Sequence, residues 1–210
     1  MDFNYGWFAL VLGPALGLVP PRWLYKEGCR HLTLIEARSS SLRRSGSSGR
    51  RRRSWWKLSL VWLDPFRGYA SGHLAALGLA TLAENMRAAP LVPLLAQCLL
   101  IPAILLIQME AGRQESGKIL APVPFLLGFT TGLYLDFGVV GGAVALLAVA
   151  TMLGTHSFMW GYLVAGAAAA LIGFAFLGPS PALLVFALTA CAPAPYAFLR
   201  RATLVLPFRG

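Results

Sequence analysis

The amino-acid sequence predicts an all-α protein: a polytopic membrane bundle of about seven transmembrane helices, N-terminus outside and C-terminus cytoplasmic. Three observations carry this expectation. First, 57% of the 210 residues are hydrophobic and only 12% charged, with mean hydropathy +0.66, whereas soluble domains carry about 25% charged residues. Second, the apolar residues gather into runs of membrane-spanning length. Third, the positive charge is gathered as well, into one stretch. This composition excludes a disordered chain, a collagen-like repeat and an ordinary soluble enzyme. Three cysteines without regular spacing exclude a disulfide framework and a cysteine-based zinc pattern.

The first element is the apolar run 7–20, WFALVLGPALGLVP, which with Tyr5 and Trp23 as interfacial aromatics approaches the lower length limit of a span, roughly 17 residues. It lacks the positive n-region and cleavage site of a secretory signal, since only Asp2 precedes it, so residues 1–21 are expected to form an uncleaved first helix. Residues 22–57 follow as a basic cytoplasmic loop, with eleven Lys and Arg against Glu27 and Glu36, or +9 of the formal +10. Its segment 39–54, SSSLRRSGSSGRRRRS, is low-complexity Ser/Arg/Gly and buries too little apolar area to fold, which predicts a partly disordered tether.

Residues 58–210 are expected to supply the other six helices. At the loop's end Trp55, Trp56 and Trp62 cluster with leucines and Lys57, the pattern of a short interfacial helix anchored by indole rings. Asp64-Pro65 then reads as an N-cap and first helical position. From Pro65 to Glu84 is a length of about 30 Å, one bilayer core. Further runs cover 90–108, 119–136, 138–155, 158–177 and 181–199, joined by short connections at Phe137-Gly138, Thr155-His156-Ser157 and Gly178-Pro179-Ser180 that demand antiparallel hairpins. Between Ile119 and Leu199 the sole charged residue is Asp136. With seven spans, 17 of the 18 Lys and Arg fall on the cytoplasmic side and only Arg87 outside, as the positive-inside rule requires.

Gly13–Gly17, Gly68–Gly72 and Gly128–Gly132 are each G-x-x-x-G, the spacing that lets two membrane helices approach closely. His73, near mid-membrane on the second helix, is the most suggestive ionisable side chain, because such residues are functional candidates by default. Glu84 lies three turns further along the same stripe, beyond Leu77 and Ala80. Asp136 ends the fourth span, and His73, Glu84 and Asp136 together form the candidate intramembrane polar site. Four spans contain internal prolines, Pro14, Pro102, Pro122/Pro124 and Pro193/Pro195. Transporters use such breaks to build ion sites, but proline also serves packing alone, and Pro122 and Pro124 lie near a helix start where they cost little. No repeat pairs the two halves of the chain. Asp64 and Arg67, one turn apart, read as a local ion pair at the interface.

No H-E-x-x-H, G-x-S-x-G or phosphate-binding G-x-x-x-x-G-K-[ST] occurs. Ser71 and His73 point about 200° apart on a helix and cannot form a dyad. A two-histidine haem would need a second membrane histidine at the depth of His73, and His31 and His156 lie elsewhere. Neither a catalytic residue, a metal nor a cofactor is therefore expected. Arg43, Arg44, Arg50, Arg51, Arg52 and Arg53 are the expected contacts to anionic headgroups, at about 1 kcal/mol per basic residue near the surface, or to an acidic partner. Phe and Tyr are absent from 39–54, so the stacking platforms of a nucleic-acid binder are missing. The expectation is a non-catalytic membrane subunit or assembly scaffold, in the cytoplasmic membrane of a bacterium, with a partner membrane protein or a second copy. A transporter using His73, Glu84 and Asp136 is the alternative, and a lipid-processing enzyme the third.

Overall fold

The computed structural model describes residues 5–20, 29–33, 35, 59–86, 91–109, 117–133 and 138–209. Within them the chain is mostly helical. Eight helices follow one another as α1 (Tyr5–Leu18), α2 (Ser59–Asn85), α3 (Leu91–Met109), α4 (Val123–Leu133), α5 (Gly138–Thr155), α6 (Phe158–Leu177), α7 (Pro181–Cys191) and α8 (Pro193–Leu199). Three are long and apolar enough to cross a membrane: α3, α5 and α6, at 19, 18 and 20 residues. The bent pair α7–α8 passes the same test as one unit with a 48° break, while α1 and α4 are shorter apolar helices.

The second hairpin has the predicted bounds because its punctuation is strong. His156 adopts φ 53 between α5 and α6, and Gly178, at φ 74, ends α6. The Ser180 hydroxyl then accepts the Leu183 amide at 3.1 Å, with Pro181 opening α7.

Elsewhere the expectations need correction. Asp64 does not cap a new helix: α2 runs without interruption from Ser59 to Asn85 with Pro65 inside it. Proline removes one backbone N–H, but the Asp64 carboxylate faces Arg67 one turn on, so nothing stops the helix there. The segment predicted as a separate interfacial helix is thus in part the start of α2, which includes Trp62; Trp55 and Trp56 lie outside the described residues. The run 119–136 is not one helix, since its first residues belong to a strand, and 181–199 is broken at Ala192, where Pro193 and Pro195 interrupt the hydrogen-bond ladder.

Nor is the chain all-α. Strands β1 (Cys29–Leu32), β2 (Lys118–Leu120) and β3 (Thr203–Arg209) form a sheet in the order β1-β3-β2. β1 pairs antiparallel with β3, Cys29 opposite Arg209, and β2 pairs parallel, Lys118 opposite Thr203. β1 lies inside the stretch predicted as loop. At the end of α8 the chain reverses through Arg201, at φ 50, with the Ala202 amide donating to the Ala197 carbonyl at 3.0 Å. This Schellman-like turn delivers β3, whose Leu204 and Val205 are buried.

The helices pack in two groups. α2 holds α1 on one side and α4 on the other, with α3 against α1, and α6 lies between α5 and α7–α8. Position by position, α1 and α2 are antiparallel (Gly17 at Ser71, Gly13 at Ala75, Gly6 at Thr81), as are α5 with α6 and α6 with α7, while α2 and α4 run parallel. β2 leads into α4 in the first group and β3 follows α8 in the second, so the sheet joins the two groups at one end. Deleting residues 203–210 should therefore loosen both. Loss of buried Leu204 and Val205, at about 1.5–3 kcal/mol each, should lower the thermal unfolding midpoint in detergent by on the order of 10 °C, measured by intrinsic fluorescence.

Candidate functional site

The most concentrated polar chemistry in the described residues sits where the end of α1, the start of α2 and the end of α3 meet. α1 is short, and the last carbonyls of any helix lack intrahelical partners. Here they are met by side chains from the two neighbouring helices. Arg67 donates through Nη1 to the carbonyls of Leu16, at 3.4 Å, and Val19. Its Nε and Nη2 donate to Asp64 Oδ1 at 3.2 and 2.7 Å, and Nη2 also donates to Gln108 Oε1. Gln108 completes the ring, its Nε2 donating to the carbonyls of Gly17 and of Val19, the latter at 2.8 Å.

These bonds occupy all five N–H groups of the guanidinium. The Arg67 and Asp64 side chains are only 8% and 5% exposed, and the Phe125 ring of α4 lies 4.7 Å from the guanidinium carbon, a cation–π contact. A cation at the C-terminal end of α1 is also favourable to its dipole. The pair predicted as a local interfacial contact is therefore the centre of a buried knot joining four helices.

One turn further along α2, the buried Ser71 hydroxyl donates to the Gly13 carbonyl at 2.7 Å. Around it the paired glycines set the spacing. A Cβ on Gly13 would meet the Ala75 amide nitrogen at 2.5 Å, and one on Gly17 would meet Ser71 Oγ at 2.7 Å. On the other side of α2, Cβ atoms on Gly68 and Gly72 would land on the Phe125 and Phe129 carbonyls, and those on Gly128 and Gly132 on the Pro65 and Tyr69 carbonyls. Two parallel G-x-x-x-G helices thus interdigitate backbone to backbone. Gly78, against the backbone of Leu10, extends the α1–α2 contact; it stands outside any G-x-x-x-G, so motif spacing does not reveal it. Gln108 is one of two amides, with Gln97, in the apolar run of α3, so its residue type alone does not single it out.

The predicted polar stripe is arranged differently from this knot. His73 is half-buried and stacks on Tyr69, ring centroids 5.9 Å apart and planes 8° apart, with its Nδ1 buried and without a hydrogen-bond partner. Leu77, Ala80 and Glu84 along the same stripe are exposed. Asp136, like Arg43, Arg44, Arg50, Arg51, Arg52 and Arg53, lies outside the described residues. Among the described residues no three His, Cys, Asp or Glu side chains come together in a metal-holding group.

With its donors occupied and its surface covered, the knot suits a structural role rather than proton transfer. Arg67→Ala should cost about 3–5 kcal/mol, because it leaves the Asp64 charge and the α1 carbonyls buried without partners. Arg67→Lys, with three donors instead of a planar fork, should recover only part of this; detergent unfolding of the two variants measures the order. Compared with protein-family models, with curated proteins and with solved structures, the chain finds no match.

Proposed function

We propose that this is a multi-pass integral membrane protein of a bacterial cytoplasmic membrane, crossing seven times with its N-terminus outside, and that it acts as a non-catalytic membrane subunit or assembly scaffold. The observation that carries the reading is the internal use of the polar groups gathered at the end of α1. Arg67, Asp64, Gln108 and Ser71 bond to one another and to helix backbone, a use of polar side chains that fixes a body rather than opens a path through it. The alternation of helix directions supports seven crossings. α1, α2, α3 and α4 alternate in direction, α5, α6 and the bent α7–α8 do likewise, and α8 ends at the sheet beside the start of α4. Counting the bent pair once, this order of directions is compatible with seven traverses, three to four of them by helices long and apolar enough to cross. On the positive-inside rule the 17-to-1 division of basic residues would put the sheet end on the cytoplasmic side.

On this reading the loop 22–57 lies on the same face, where its arginines contact anionic headgroups or an acidic partner. A small-solute or ion transporter remains the second reading, favoured by one feature: the buried, unpartnered Nδ1 of His73 on a helix that would span.

Reporter fusions at Ser48 and Met86 should report opposite sides of the membrane, and the same side for both would defeat the seven-crossing arrangement. Purification in mild detergent should bring down a stable partner or a second copy together with anionic lipid. Replacing Arg43, Arg44, Arg50, Arg51, Arg52 and Arg53 by Gln should reduce that lipid, at about 1 kcal/mol per charge removed. His73→Ala combined with Asp136→Asn should leave growth and uptake unchanged, whereas loss of uptake would favour the transporter.

A further inference from the structure

At the end of α8 an arginine occupies a backbone position that normally goes to glycine. The turn there is a complete Schellman motif: the Arg201 amide donates to the Phe198 carbonyl and the Ala202 amide to the Ala197 carbonyl, both at 3.0 Å. Glycine usually supplies the left-handed residue of such a turn, and here that residue is Arg201, at φ 50. An L side chain is disfavoured in this conformation, so the backbone gains nothing from arginine. The side chain is not used internally either: it is exposed and makes no hydrogen bond or ion pair among the described residues. Arg200 already places a cation at the end of α8, where the helix favours one. Two further cations stand beside Arg201. Arg200 lies against Tyr196, its Nε donating to the phenol oxygen at 3.3 Å and its guanidinium carbon 5.7 Å from the ring centre. Thr203 ties the turn to the start of β2, its amide and its hydroxyl both donating to the Gly117 carbonyl, at 2.8 and 3.3 Å, which brings the next residue, Lys118, to the same corner. The acidic residues among the described ones are elsewhere. Asp64 is buried against Arg67, and Glu84 is at the end of α2 away from the sheet, since α2 runs parallel to α4 and α4 starts from β2.

We propose that this corner binds the headgroup phosphate of an anionic glycerophospholipid. Arg201 donates to the phosphate oxygens, while Arg200 and Lys118 supply positive field around them. This rests on the membrane reading above and adds to the loop contacts a site on the folded body, assembled from two distant stretches of chain. Charge complementarity selects an anion, and a planar guanidinium suits the oxygens of a phosphate. What selects a lipid is the pair of residues just before the cations: Phe198 and Leu199 are 69% and 78% exposed. The ligand therefore meets large apolar side chains and positive charge within a few residues. A phospholipid carries acyl chains and a phosphate at that close spacing, whereas a soluble phosphate would leave Phe198 and Leu199 uncovered. Tyr196, with Arg200 on its ring, is the aromatic expected at the level where hydrocarbon gives way to headgroups.

The test uses delipidated full-length protein with the six loop arginines already replaced by Gln, so that the corner is read apart from the loop. Dioleoyl phosphatidylglycerol and dioleoyl phosphatidylcholine, which share their chains and differ in net charge, are titrated on, and retention is read by native mass spectrometry. The phosphatidylglycerol should be retained several-fold better. Arg201→Gly should lower its retention about fivefold, the worth of one basic residue at the membrane surface, and leave phosphatidylcholine nearly unchanged. The unfolding midpoint should stay or rise, because glycine suits the turn. Inorganic phosphate at the same concentration should not displace the lipid. Equal retention of the two lipids before the substitution, or phosphatidylglycerol retention untouched by Arg201→Gly, would overturn the proposal. Displacement by inorganic phosphate would overturn it in favour of a soluble anion. An acidic protein that co-purifies and is lost in Arg201→Gly, with lipid retention intact, would overturn it in favour of that protein. Failure of the membrane reading shows separately, as protein released from membranes by alkaline carbonate without detergent.

Discussion

Arg67 is held by an acid one turn away, an amide from α3 and two carbonyls at the end of α1, and much of the first helix group depends on its staying there. α1 is 14 residues long, about 21 Å, and its last turn, with Gly17 buried, packs against α2 and α3. Its final carbonyls therefore need donors from elsewhere, and a buried guanidinium is the side chain with enough of them. The charge this introduces is balanced by Asp64 and faced by the Phe125 ring. Each partner comes from a different helix, so the electrostatic requirement of one helix end fixes the relative positions of four.

The glycines make that arrangement sterically possible. Arg67 reaches the α1 carbonyls because α1 and α2 approach until backbone meets backbone, at Gly13 and at Gly78. Phe125 reaches the guanidinium because Gly68 and Gly128 let α4 do the same from the opposite side. Within a bilayer, where apolar side chains gain little by meeting one another instead of lipid, such close packing and interhelical hydrogen bonds supply the attraction. Side chains at these positions would push α1 or α4 outward and leave the knot's charges uncovered. The glycine contacts and the knot are accordingly one device, and a substitution in either is felt by the other.

What the sequence makes legible follows from how local each feature is. Residues 138–155 and 158–177 were readable to the residue because their limits are punctuated locally, by His156 and Gly178. The three G-x-x-x-G pairs were visible as spacing, but which helix faces which depends on packing that no local pattern encodes. Asp64 misled because its N-cap chemistry competes with an ion pair to Arg67, and that pair acquires its strength only from Gln108 and the end of α1, far away in sequence. The sheet was invisible for the same reason. β1, β2 and β3 are short, and each is unremarkable alone; register between residues near 30, 119 and 205 is a tertiary property. The outward-facing stripe from His73 to Glu84 was legible as a stripe, while its direction was decided by the glycines on the other faces of α2.

The same physics that closes the first helix group leaves a seam beside the second. α6 packs through Gly161, Gly166 and Gly173 against Met152, Cys191 and Leu183, so its neighbours draw close to it, and a partly open crevice is left between them and α4. Gly141, Ala145, Ala148, Ala165 and Ala190 all line the crevice, and small residues cannot fill the width that a helix of another shape would need. β3, inserted between β1 and β2, holds the two groups together at the sheet end and so sets how far the seam can close there. The crevice is thus a consequence of choosing close helix contacts over bulky ones.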